Sequence, residues 1–142
     1  MKLNHFFTLV FCGALQNSLQ GAMRETFRKN TISERYMWLY PYMPYIVCKD
    51  GFSISLQVSN GNYCSSENGY QRFGYEWKQV EFGFPSEEEE LLKEFADNED
   101  VCDSVGCISI ELAEEVLAKH GGIDLDRTLS KENLEKTIFR EM

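Results

Sequence analysis

The chain reads as an α+β protein in which a small antiparallel β-sheet is covered by two or three helices. Three observations predict this class. Residues 52–58 alternate strictly, with Phe52, Ile54, Leu56 and Val58 on one face and Ser53, Ser55 and Gln57 on the other. That period of two belongs to a strand with one face on a core and the other in water. Asp50-Gly51 sits just before the alternation and tolerates the positive φ angles of a tight turn. From Pro85 onward, capping residues precede apolar positions spaced as on helices.

The hairpin spans 44–58, with Tyr45 to Cys48 as the first arm. Residues 75–84 read as the next strand, with Val80, Phe82 and Phe84 on one face and Tyr75 and Trp77 on the other. A short apolar piece at 105–108 reads as an edge strand. Between hairpin and strand, Ser59 to Gly74 forms a loop of about fifteen residues, longer than most connections. Loops of that length carry function often enough that Tyr63, Tyr70, Arg72 and Phe73 become the candidate binding residues.

Ser86 followed by four glutamates reads as a helix start. Ser86 caps, Glu89 completes a capping box, and the acidic turn complements the helix dipole. Leu91, Leu92 and Phe95 are its expected buried stripe. Ser109 caps a second helix with Ile110, Ala113, Val116 and Leu117 inward. His120 falls at the negative end of that helix, and Gly121-Gly122 stops it. A last helix begins at Ser130, stapled by Leu129 and Leu134.

At 142 residues, with 43% apolar content, the chain can bury a core as one domain. Its net charge of −9 is unevenly placed. Residues 1–85 carry eight Lys/Arg against six Asp/Glu, a net of +2, and residues 86–142 carry six against seventeen, a net of −11. A field of that sign repels nucleic acid and anionic membrane, which argues against direct nucleic-acid binding.

Residues 1–42 stand apart, as a signal-like or spurious extension ahead of a domain at 43–142. Lys2 followed by the apolar run Phe6 to Leu15 imitates a secretory signal, too short to be a transmembrane segment. The cleavage end near Ala22 is poor, and Arg24, Arg28 and Lys29 follow it. Met37 and Met43 are alternative starts, since regular patterning begins near Pro44. Arg35 to Tyr45 packs four tyrosines and a tryptophan into eleven residues, which suits sheet coverage better than ligand stacking.

The sequence offers little chemistry. Asp124, Asp126, Thr128, Glu132 and Glu135 fall at positions 1, 3, 5, 9 and 12 of a calcium-binding loop, but Leu129 occupies the position that needs glycine. The last four cysteines, Cys48, Cys64, Cys102 and Cys107, are separated by fifteen, thirty-seven and four residues. That spacing makes no zinc knuckle and favours free thiols over bridges. With His5 and His120 as the only histidines and no phosphate loop or nucleophile elbow, a non-enzymatic protein without cofactor is expected.

Tyr45 to Ser53, the Tyr63-Cys64-Ser65 turn, Val80 to Ser86 and Val116 to Ile123 together resemble uncharacterised small proteins of bacteriophages and mobile elements. The resemblance covers residues 44–123 and begins close to Met43. It implies no known activity; it implies a phage-like accessory or host-interaction role, and a cytoplasmic location in the host. The sequence therefore points to a small acidic protein that binds a protein partner, with mimicry of nucleic-acid charge as one means. A secreted, disulfide-containing binding domain, if residues 1–21 act as a signal, and a calcium-binding module are the alternatives.

Overall fold

A computed structural model describes residues 1–11, 43–58, 77–133 and 136. It contains helix α1 (Leu3–Phe11) and strands β1 (Ile46–Val47), β2 (Ser53–Gln57) and β3 (Gln79–Gly83). Two 3₁₀ helices, Glu90–Phe95 and Val101–Asp103, lead to β4 (Val105–Ser109), α2 (Ile110–Lys119) and α3 (Leu125–Thr128). The strands form one antiparallel sheet in the order β1-β2-β3-β4. This is the α+β architecture that the alternation and the helix signals predict.

The hairpin forms where Asp50-Gly51 places it. Ile46 pairs with Ile54 and Val47 with Ser53. Gly51 N–H donates to the Cys48 carbonyl at 2.9 Å, with Gly51 at φ 97°, a value a side chain would resist. Ile54, Leu56, Val80, Phe82 and Ile108 are buried together with Ile110, Ala113, Val116 and Leu117 of α2. Ser109 caps α2, its hydroxyl accepting from Leu112 N–H at 3.1 Å. These parts of the expected core are present as read.

The second sheet face departs from expectation. Ser55 and Gln57 are buried rather than solvated. Gln57 Oε1 accepts from Met43 N–H at 2.8 Å, and its amide donates to the Met43 carbonyl at 2.9 Å and to Ser55 Oγ at 3.0 Å. Polar residues on alternate positions here are satisfied internally, a case the binary pattern cannot separate from a wet face. Glu81, opposite Gln57 and Cys107, shares that face, and burial pushes its carboxyl up from the ordinary value.

Three local readings also change. β3 begins at Gln79, and residues 75–76 lie outside the described set. Phe84 leaves the strand at φ 49° and is half-buried. Ser86 pairs with Ser53 through both its backbone N–H (2.8 Å) and its hydroxyl (2.9 Å), so it caps no helix. The cap falls to Glu89, whose side chain accepts from Leu91 N–H, and the helix that follows is a 3₁₀ segment. In its tighter winding Leu92 is buried and Leu91 half-buried, whereas Phe95 is 38% exposed.

The apolar run at the N-terminus forms α1 as far as Phe11, and Leu3, Phe6 and Phe7 lie fully buried in the same core as the sheet. Asn4 fixes this helix to the start of β3: its amide donates to the Trp77 carbonyl at 3.0 Å, and its oxygen accepts from Trp77 N–H at 2.7 Å. Glu114 of α2 accepts from Leu3 N–H at 3.3 Å and pairs with Lys2 at 3.2 Å. Among the described residues no helix is long and apolar enough to cross a membrane.

Candidate functional site

Three pieces of chain meet at the C-terminal end of α2. The hairpin turn supplies Asp50 and Phe52, the stretch before the first 3₁₀ helix supplies Glu87 and Glu89, and α2 ends at Lys119 and His120. Backbone bonds set the meeting. Lys49 N–H donates to the Gly122 carbonyl at 3.1 Å and Asp50 N–H to the His120 carbonyl at 3.3 Å. Gly121 at φ 92° turns the chain, and any Cβ there would stand 3.2 Å from Lys49 Cβ. The helix therefore has to end in this geometry for the hairpin tip to approach.

His120 is the centre of the site. Its ring is buried and stacked on Phe52, with centroids 3.9 Å apart and planes 10° from parallel. Nδ1 lies 2.6 Å from Asp50 Oδ2, and Nε2 lies 2.8 Å from Glu89 Oε1. Two carboxylates facing both ring nitrogens favour the imidazolium, with each N–H donating to one of them. Burial alone would lower the His120 pKa, but the bonds to Asp50 and Glu89 outweigh it and the net shift is upward.

The flanking carboxylates are held in turn. Asp50 Oδ1 accepts from Phe52 N–H at 2.8 Å, and this bond, with that to His120, draws its pKa below the ordinary value. Glu89 is 1% exposed. Burial pushes its carboxyl up; Lys119 Nζ at 2.8 Å, Leu91 N–H at 3.1 Å and His120 together more than offset that, and its pKa ends lowered. Glu87 Oε1 stands 3.7 Å from Nδ1 on the exposed side. The result is a chain of alternating charge, Asp50–His120–Glu89–Lys119, that ties the turn, helix and glutamate run together.

This site corrects two readings. The glutamates of residues 87–90 are not accounted for by a helix start alone, because Glu89 points inward to an ion pair. His120 likewise answers to two carboxylates in addition to its place at the helix end. The partners stand 31 and 70 residues from His120 in sequence, and each has a sufficient local explanation, so no spacing rule would unite them.

Tyr63, Tyr70, Arg72 and Phe73 lie outside the described residues, as do Glu135 and Leu134. Asp124 caps α3, its side chain accepting from Arg127 N–H at 3.2 Å. Thr128 is buried, its hydroxyl accepting from Val47 N–H at 3.0 Å and donating to the Val47 carbonyl at 3.3 Å. Asp126 and Glu132 are exposed. Asp124 and Thr128 thus fasten a short helix and a strand edge, and the described members of the calcium pattern do not converge.

Among the cysteines, Cys107 is disulfide-bonded, against the expectation of free thiols, whereas Cys48 and Cys102 are free. Burial and the nearby Asp50 push the Cys48 thiol up to about 12. Burial and surrounding acids, Asp100 foremost, raise Cys102 as well. Neither thiol is poised as a nucleophile. No known protein family, curated protein or solved structure matches the chain.

Proposed function

We propose that the protein acts by non-covalent capture of a basic protein partner rather than by catalysis. One observation carries this reading: an acidic ridge with an apolar seat. Glu87, Glu88, Glu90, Glu94, Asp97, Glu99, Asp100 and Asp103 are all exposed, and the one lysine among them, Lys93, already pairs with Glu90 at 2.8 Å and Glu88 at 3.4 Å. Beside them an open groove of about 600 Å³ is lined by Leu91, Phe95 and Leu112 between Glu90 and Glu94. A basic segment carrying one apolar side chain matches it in charge and in character.

Catalysis draws little support from the side chains. Among the described residues, both ring nitrogens of His120 face carboxylates, and the thiols of Cys48 and Cys102 have pKa values raised by burial. In the host-interaction reading the partner is a nucleic-acid-binding protein, whose basic groove the ridge would occupy in the cytoplasm. Capture from the native cell at low and high salt tests the proposal, with Glu90→Lys and Glu94→Lys combined as the control. Basic partners released by salt and lost in the variant are expected. Partners that are not basic, or that the variant retains at full strength, overturn it.

The Cys107 disulfide favours a second reading, an exported binding domain, because disulfides persist in oxidising compartments. Mass spectrometry of the natural product without reductant decides between them. An intact bridge with a mature N-terminus near Ala22 supports export, and an entirely reduced chain removes it.

A further inference from the structure

We propose that Asp50, Glu87 and His120 form a binding site for a divalent transition-metal ion of the zinc class. One ligand atom from each, Asp50 Oδ2, Glu87 Oε1 and His120 Nδ1, lies within 4.8 Å of the other two. Metal bonds of about 2.0–2.2 Å to nitrogen and oxygen place ligand atoms at most a little over 4 Å apart. Small movements of the two exposed carboxylates bring all three to that range, while the buried imidazole stays in place.

The independent observation is how the histidine is supported. A metal-ligating histidine commonly donates its other ring N–H to a carboxylate, which fixes its tautomer and orientation. Here Nε2–H is held at 2.8 Å by Glu89, a carboxylate 1% exposed and itself anchored by Lys119 and Leu91 N–H. Phe52 stacks on the ring and prevents it from turning. Nδ1 is thereby aimed at the side where Asp50 and Glu87 are open to solvent.

Binding replaces the proton on Nδ1, which leaves to water; Nε2–H remains on Glu89 and no other bond changes. The Asp50 carboxylate, 2.6 Å from Nδ1, rotates outward to admit the ion while Oδ1 stays on Phe52 N–H. One imidazole and two carboxylates suit zinc, cobalt or manganese rather than calcium, which takes oxygen ligands alone. Water completes the shell on the exposed side.

The test uses the full chain and the metal alone. Zn²⁺ at a hundredfold excess over Kd is expected to raise Tm by on the order of 5 °C, while Ca²⁺ leaves it unchanged. Co²⁺ is expected to give weak ligand-field bands without thiolate charge transfer. Glu87→Gln, an exposed substitution outside the packed core, and Asp50→Asn, which keeps the acceptor for Phe52 N–H, are each expected to weaken Zn²⁺ binding at least tenfold. His5→Ala, removing the other imidazole, should leave it intact. No binding, a thiolate band, or affinity unchanged in Glu87→Gln and Asp50→Asn overturns the proposal.

Discussion

The middle and the C-terminal end of α2 are fastened by opposite physics. Near its middle, α1 lies alongside with Leu3, Phe6 and Phe7 in the core, and the polar contact at the rim is Lys2–Glu114, with Lys2 83% exposed. At its end, the charged chain Asp50–His120–Glu89–Lys119 does the fastening, with its two central members buried. Apolar burial is non-directional and tolerates small shifts; a buried ion chain demands specific atoms and resents the loss of any one. The fold takes its adhesion from the first contact and its registration from the second.

The largest expected effect is at the apolar contact with α1. Phe6→Ala removes a fully buried ring and is expected to cost about 3–5 kcal/mol in denaturant unfolding. A chain started at Met43 would lose Leu3 and Phe7 with it, and its unfolding is expected to lose cooperativity. Equal stability of residues 43–142 and the full chain would show that α1 contributes nothing.

Next comes the ion chain. His120→Ala leaves Glu89 buried with Lys119 and Leu91 N–H but without its ring partner, and about 2–3 kcal/mol is expected. His120→Gln, which can still donate one bond, should recover part of that. If both variants lose the same amount, the Phe52 stack rather than the charge holds the ring.

The pH profile of Tm, recorded with chelator present, reports the ionised groups of the chain directly. The His120 pKa is raised, so its contribution is complete below about 6.5 and is lost as pH rises through the raised value. The Asp50 and Glu89 values are lowered from 3.8 and 4.5, so theirs is complete above those values and is lost as pH falls through the lowered ones. A maximum between about pH 4.5 and 6.5 is expected, and His120→Gln should reduce the alkaline decline to the part that the raised Glu81 carboxyl contributes. The smallest effect belongs to Lys2→Ala, an exposed pair, with a change within about 0.5 kcal/mol.

Much of the fold was legible because its signals are local. The Asp50-Gly51 turn, the alternation through Leu56 and the Ser109 cap of α2 each lie within a few residues of what they determine. The polar face of β2 was misread because Ser55 and Gln57 look the same in sequence whether water or Met43 satisfies them. The site was hidden for a related reason. Glu89 reads as one acid in a helix start and His120 as a helix-end cation, and only the docking of the hairpin tip joins them. Asp124 and Thr128 share the regular spacing of an ion loop, an alternative that Leu129 already argued against, and their oxygens serve a helix cap and Val47.

Val47 is held at both of its backbone polar atoms. Its carbonyl accepts from Asp124 N–H at 2.8 Å, its N–H donates to Thr128, and Cys48 bridges to Ile123, so the outer margin of β1 is sealed by residues from the final third of the chain. A ribosome that has released only the first 120 residues, with β4 and α2 in place, holds a sheet whose β1 margin is bare. Such a margin is a template for self-association. Nascent or prematurely terminated chains should therefore be the aggregating species, and a short peptide matching 121–130 supplied in trans should keep them dispersed.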